Sequence, residues 1–187
     1  IFTPANTGVA NNKVGFAAPD FKITWSDSFK WKPPEYNTID FMVTIPITKD
    51  KKSQYSWKDK EQYKEINLRV GFNTKQHGIL NPFKMVLDGE FDEKDEDKYA
   101  PALFYPTNPY DNSAHICHIP VKLDENGAYQ MFTEENEIFE GNMIVEFKYV
   151  GSNEEYKRWV PLRVRYDKTY DLKVNRKNFG NAYHVAN

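Results

Sequence analysis

The residues with the most chemical reach lie in Trp159-Val-Pro-Leu-Arg-Val-Arg-Tyr-Asp-Lys168. A period of two predicts a buried strand here, with Val160, Leu162, Val164 and Tyr166 on one face. Trp159, Pro161, Arg163 and Arg165 fall on the other face, and Asp167 and Lys168 follow where the strand ends. Guanidinium forks match phosphate oxygens two at a time. An aspartate beside them can hold an arginine or a metal ion in place. The plainer alternative is an edge strand with a solvated arginine face.

A second basic pair stands upstream. A strand over residues 22–32 would put Lys30 and Lys32 on one face, with Trp31 opposite. Two ammonium groups about 7 Å apart can both reach one phosphate group. The plainer reading is two exposed lysines anchored by a buried tryptophan. Pro33-Pro34 stops this strand and forces an extended link, so a domain boundary is expected there.

Trp159-x-x-x-Arg163-x-Arg165-x-Asp167-Lys168 resembles motif VI of the covalent nucleotidyltransferases, which include mRNA guanylyltransferases and ATP-dependent ligases. Phe29-Lys-Trp-Lys-Pro-Pro34, followed by Asn37-Thr-Ile-Asp-Phe41, resembles motif V in its capping-enzyme form. The closer resemblance is to the multifunctional mRNA capping enzymes of large cytoplasmic DNA viruses. It extends to Phe104-Tyr-Pro-Thr-Asn-Pro-Tyr110, Ile138-Phe-Glu, Ile144-Val-Glu-Phe-Lys-Tyr149 and Asn178-Phe-Gly-Asn-Ala-Tyr-His-Val-Ala-Asn187, and so to nearly the whole chain.

That resemblance implies a mainly β chain in three parts. Residues 1–36 would be the C-terminal end of a nucleotidyltransferase domain, contributing its last strand or strands and motif V. Residues 37–170 would be an oligonucleotide-binding (OB) barrel with motif VI, and residues 171–187 a linker toward a cap methyltransferase domain. The implied reaction is GMP transfer from GTP, through a lysyl-GMP intermediate, to the diphosphate 5′ end of nascent mRNA. Lys30 and Lys32 would serve the α-phosphoryl group. Arg163, Arg165, Asp167 and Lys168 would serve the leaving pyrophosphate as the barrel closes. GTP is the implied substrate, magnesium or manganese the implied metal, and the host cytoplasm (viral factory) or virion the implied location. Two alternatives remain open: an ATP-dependent polynucleotide ligase, or a non-catalytic OB module that binds single strands. The second would use rings such as Tyr55, Trp57, Tyr63, Phe104 and Tyr105.

The nucleophile motif of the superfamily, Lys-x-Asp-Gly, is not in this chain. Its Asp88-Gly89 follows Val86 where the lysine would stand. The chain opens on Ile-Phe-Thr-Pro without Met, which reads like the middle of a protein. It is therefore expected to be an inactive fragment of an enzyme. Ile1-Phe-Thr-Pro4 resembles the segment that follows the Asp-Gly of motif IV in the viral capping family, which implies a start just after a catalytic carboxylate.

Composition sets bounds on these readings. The chain has 187 residues, enough for a real core. A formal net charge of -2 gives no overall field to hold RNA, so any contact needs a local patch. No apolar run approaches the ~20 residues of a membrane helix, so no membrane partner is expected. The single cysteine excludes an internal disulfide. His115-Ile-Cys-His118 invites a zinc reading, but His118 points away from the other two on a strand, and no second ligand cluster is present.

Periodicity predicts further strands at 37–48, 65–72, 78–87, 116–123, 128–132 and 142–150, with a hairpin turn at Glu125-Asn-Gly127. Residues 57–64 could be a short helix or a hairpin tip. Thr133-Glu-Glu-Asn136 reads as a helix start. Residues 88–97 read as an acidic loop, 99–112 as irregular and 169–187 as lacking a core pattern. About six short strands and few helices point to a small barrel or sandwich; only the resemblance selects the OB barrel.

Overall fold

The computed structural model describes residues 2, 5–6, 32–33, 36–46, 55–58, 61–77 and 98–187. The chain divides into two compact units, Ile1–Asn37 and Thr38–Asn187. In the first, Tyr36 donates its backbone N–H to Pro33 O at 2.9 Å, and Lys32 is exposed. The second carries nine strands among the described residues. They are β1 (Thr38–Thr44), β2 (Tyr55–Lys58), β3 (Glu61–Phe72), β4 (Ala100–Leu103), β5 (Ile116–Leu123), β6 (Tyr129–Phe132), β7 (Ile138–Phe139), β8 (Met143–Tyr149) and β9 (Trp159–Val164). Three helices join them: α1 (Thr74–His77), α2 (Tyr166–Asn175) and α3 (Tyr183–Ala186).

All the strand pairs are antiparallel, in the order β7-β6-β5-β3-β1-β8-β9, with β2 and β4 also pairing β3. The sheet curls until its ends nearly meet. His118 N–H of β5 reaches Tyr156 O at 2.7 Å, and Cys117 Sγ lies 3.3 Å from Trp159 O. The free edge of β9 is covered by the turn after β6. Glu134 and Glu135 donate their N–H groups to Pro161 O and Leu162 O at 2.9 and 3.1 Å. The result is a mainly β, nearly closed barrel consistent with an OB-fold, and closure removes the exposed edges that an open sheet would present.

Strict alternation drives the central strands inward. Ile66, Leu68 and Val70 of β3 and Phe41 and Val43 of β1 are completely buried, as are Val145 and Phe147 of β8. Phe41 makes ring contacts with Phe104, Phe147 and Trp159 at 5.0–5.8 Å between centroids, which locks three strands to the β4–β5 connection. Of the stretch 57–64, the described residues 57–58 and 61–64 lie in β2 and β3, which pair antiparallel. The turn between β5 and β6 has Gly127 at φ +79°, with Asp124 Oδ1 accepting from Asn126 and Ala128 N–H.

Several expectations are corrected. Thr133-Glu-Glu-Asn136 starts no helix. Thr133 Oγ1 does accept the N–H of a residue downstream, Glu137, at 3.1 Å, but Asn136 turns to φ 61° and the chain folds back. A side chain that can cap a helix can equally close a turn, and here the neighbouring N–H groups bond to β9 instead. Residues 100–103, expected to be irregular, form β4. Phe104 and Tyr105, named as possible stacking platforms, are 3% and 8% exposed and belong to the interior. Tyr63 is half-buried and stacks on His118 at 4.3 Å. The strand expected at 78–87 and the acidic loop at 88–97 lie outside the described residues, as do the side chains of Tyr55 and Trp57.

The largest correction concerns residues 169–187. They were expected to be a linker without a core pattern, yet they pack on the barrel. Leu172 and Phe179 join Met42 and Ile144 in a second apolar cluster on the outer face of β1 and β8. Tyr183 and Ala186 enter the main core. Beyond α2 the backbone is clasped to β1. Asn181 N–H donates to Asp40 O, and Asp40 N–H donates to Asn181 Oδ1, both at 2.7 Å. Gly180, at φ +85°, comes so close to the Asp40 carbonyl that any Cβ would collide with it.

The docking of α3 contains two stacked imidazoles. His77 Nδ1 accepts the Asn73 N–H at 3.0 Å, so a neutral His77 carries its proton on Nε2 and donates it to His184 Nδ1, also 3.0 Å away. Burial, and next the neighbouring His184, push the His77 pKa below its ordinary 6.5. A depressed histidine pKa means that the unfolded chain binds the extra proton first. Stability is therefore expected to be full above about pH 7 and to fall as pH drops through 6.5 toward the lowered value. Thermal unfolding followed from pH 8 to about pH 5 checks this. In His184→Ala that part of the acid sensitivity should shrink, and an unchanged pH profile would remove the pair from the account.

Candidate functional site

The outer face of β1, β8 and β9 gathers the charges. Period-two counting treats β9 as uninterrupted, but a bulge opens opposite Glu146 and Phe147. Arg163 pairs in register with Glu146 and Pro161 with Phe147, leaving Leu162 as the extra residue. Pro161 and Val164 are therefore the buried positions and Trp159 packs against the core, while Val160 and Leu162 are only half-buried. The predicted faces are thus corrected at Val160, Leu162, Trp159 and Pro161, and at Tyr166, which is exposed and opens α2 rather than continuing the strand. Arg163 stays on the outer face, as expected.

Arg165 stands at the strand-to-helix junction. Its N–H still bonds Ile144 O of β8 at 2.9 Å, while its carbonyl accepts the Thr169 N–H that begins α2. Lys168 lies three residues on, and on a helix that spacing returns to the same side. Both side chains converge on one carboxylate oxygen of Asp40 in β1. Arg165 Nη1 is 2.6 Å from Asp40 Oδ2, and Lys168 Nζ donates a short bond to the same atom. The Asp40 side chain is only 7% exposed, whereas Arg165 and Lys168 each keep 26%. Thr169 Oγ1, turned inward, accepts the Ile144 N–H at 2.9 Å and fixes the start of the helix to β8.

Next to this pair stands a second. Asp40 and Glu146 are cross-strand partners. Glu146 accepts from Arg163 Nε at 2.7 Å and from Thr38 Oγ1 at 2.6 Å. Burial works to raise the Glu146 pKa. The hydrogen bonds from Thr38 and Arg163, with the charges of Arg163 and Arg165, outweigh it and hold the carboxyl below its usual range. The hydrogen bond and charge of Glu146 in turn raise the Arg163 pKa. Asp167, largely exposed in the first turn of α2, lies 3.4 Å from Arg165 Nη2. Three cations thus meet three carboxylates in one alternating ladder.

The structure therefore brings Arg163, Arg165, Asp167 and Lys168 together. Lys32 is exposed in the other unit, and Lys30 lies outside the described residues. The residue that sequence reasoning left without a role is Asp40. It stood inside the quoted Thr38-Ile-Asp-Phe41, but nothing local ties it to cations some 125 positions away. A guanidinium has five donors and an ammonium three, so Arg165 and Lys168 keep donors for an anion at their exposed edges while Asp40 fixes where they stand.

Among the described residues no three His, Cys, Asp or Glu side chains converge as a metal site. Asp40 Oδ2 is already occupied by both cations, so it does not fit a divalent ion. Of the residues at 115–118, Cys117 is fully buried, with its thiol pKa pushed far up by burial. His118 faces Glu65 at 3.4 Å.

Comparison with known proteins bears out the resemblance to viral capping enzymes. The chain is 26% identical over 173 residues to a protein of Acanthamoeba polyphaga mimivirus named "Probable mRNA-capping enzyme". The match covers 85% of this chain and 12% of that much longer relative. No protein-family profile matches the chain, and no solved structure does.

Proposed function

We propose that this chain, similar to part of a viral mRNA-capping enzyme, is the OB-barrel portion of a guanylyltransferase. In that reaction a lysine of a preceding nucleotidyltransferase domain attacks the α-phosphorus of GTP. The bond from the α-phosphorus to the bridging oxygen breaks, and pyrophosphate leaves with the bonding electrons. The GMP then passes to the diphosphate end of RNA. Charge builds on the leaving group, and fixed cations aimed there lower the barrier.

The observation that supports this reading is the convergence of Arg165 and Lys168 on buried Asp40, flanked by Arg163 on Glu146. Two cations held by one anchor present their spare donors together, as β- and γ-phosphate oxygens require. Arg163 is the more exposed third member and Asp167 a tether for Arg165. Lys30 and Lys32 are assigned to the α-phosphate on the resemblance alone. Magnesium or manganese, implied by the resemblance, would be held largely by the GTP phosphates and water, with one or two carboxylates.

Labelled GTP tests the proposal. A longer protein that carries this chain behind a Lys-x-Asp-Gly domain should form a covalent GMP adduct, stable in denaturing electrophoresis, and should form none from ATP. The 187-residue chain by itself should give no labelled band. A band from ATP would reassign the protein to the ligases, and a band from the chain alone would end the reading as a fragment.

A further inference from the structure

The barrel has a second feature, away from the charge ladder. A half-open cavity of about 290 Å³ lies between the β4–β5 connection and the β8–β9 loop. Its walls include the rings of Phe104, Tyr149, Tyr156 and Trp159. Tyr149, 54% exposed, meets Trp159 edge-on at 5.1 Å, and Phe104 backs Trp159 from the interior at 5.9 Å. An outward-facing tyrosine supported by a half-buried tryptophan is a rigid, flat surface with a large apolar area.

Two further observations separate this cavity from ordinary surface relief. Arg158 lines it, and Arg158 Nε is buried without a hydrogen-bond partner. A buried, unmatched donor on a charged group is costly, so an acceptor arriving there would be favoured. Tyr156 sits at φ 65°, a conformation that bulky side chains rarely adopt. Its carbonyl is tied to His118 N–H across the barrel seam, so the loop is held in this shape by the fold itself. Two acids also line the cavity, Asp111 and the exposed Glu155. Burial works to raise the Asp111 pKa, and the hydrogen bonds of Ser113 with the charge of Arg158 outweigh it. Asp111 Oδ1 is already committed to the N–H and hydroxyl of Ser113, at 2.8 and 2.7 Å.

We infer that this cavity binds one unpaired nucleobase of single-stranded RNA, stacked on Tyr149 with Arg158 as the polar contact. The size is near the lower end of small-ligand sites, about 300 Å³, which suits a single base and not a folded partner. Ring walls accept any base by its face, and the cationic donor can serve a base edge or the adjoining phosphate. The loop between the last two strands of an OB barrel is also where oligonucleotides are gripped in this fold. Geometry links the cavity to the cations. β9 begins at Trp159 and ends one residue before Arg165, so the two sites lie roughly 20 Å apart along one strand. That the strand is mRNA awaiting a cap rests on the proposed function; that a base is bound here does not.

The test uses the 187-residue chain and labelled oligouridylate and oligoadenylate, read by fluorescence anisotropy. Saturable binding of both is expected. It should weaken about tenfold in Tyr149→Ala and in Arg158→Gln. Tyr149→Phe, which keeps the ring, should bind like the original chain, and this separates stacking from a loss of fold. A strand of abasic ribose phosphates should bind far more weakly than either oligomer. Equal binding of the abasic strand, an unaffected Tyr149→Ala, or occupation by a proline-rich peptide in preference to RNA would each overturn the inference. GMP loading by the longer protein tests the capping reading separately: RNA binding without loading would sink that reading and keep this one.

Discussion

Arg165→Ala in the longer enzyme is expected to slow GMP loading by two orders of magnitude or more, about 3 kcal/mol of barrier. Transfer of GMP from the loaded enzyme to RNA should be affected far less. The reason is chemical accounting. The β- and γ-phosphates are present only in the first step, and once pyrophosphate has left, Arg165 and Lys168 have nothing further to hold. Arg165 also bridges Asp40 and the start of α2, so some loss of stability accompanies the change. A merely structural role would slow both steps together. Single-turnover rates for loading and transfer, measured separately, distinguish the two, and equal slowing would remove the leaving-group role. Lys30→Ala and Lys32→Ala are the comparison, because the α-phosphate is present in both steps and both should suffer.

Asp40→Asn should act on stability before it acts on chemistry. The substitution keeps the shape of the side chain and removes the charge that two cations share. Leaving a buried ion pair without one partner costs about 3–5 kcal/mol. Arg165 and Lys168 keep a quarter of their surface in water, so the lower end, about 3 kcal/mol, is expected here. For a chain of this size that corresponds to a fall in Tm of roughly 6–12 °C. Inorganic pyrophosphate should recover part of the loss in Asp40→Asn, since a polyanion can replace the missing counter-charge, and should stabilise the original chain less. A Tm that hardly moves, or no difference in the response to pyrophosphate, would show that Asp40 is not the anchor of these cations.

What the sequence revealed depended on whether a residue's environment is written locally. Ile66, Leu68 and Val70 alternate without interruption, and β3 follows from them. β9 was legible as a strand but not in its faces, because a bulge adds one residue without leaving a trace in the sequence, and Leu162 is as apolar as its neighbours. α2 left no pattern for a different reason. It buries only Thr169 and Leu172, one pair three residues apart, and begins at Arg165 without a side-chain cap. The motif residues Arg163, Arg165 and Lys168 were legible from type and spacing, but their carboxylate partners were not. Asp40 occupies an outward slot of β1, where a charged residue excites no suspicion, and only the pairing of β1 with β8 brings it to Arg165.

The clasp of residues 180–181 on β1 has a mechanical consequence. Asn181 grips both the N–H and the carbonyl of the residue whose side chain anchors Arg165 and Lys168. Tension on the chain from the side of residue 187 first loads the Asn187 bonds to Thr107, then α3 and the Gly71 N–H bond to Asn181 O, and then these two short bonds, crossing β1 at Asp40. Force would thus be delivered as a shear on the anchor of the cations, before the barrel strands separate. Whatever tugs on that end, or braces it, sets how stiffly Arg165 and Lys168 are held.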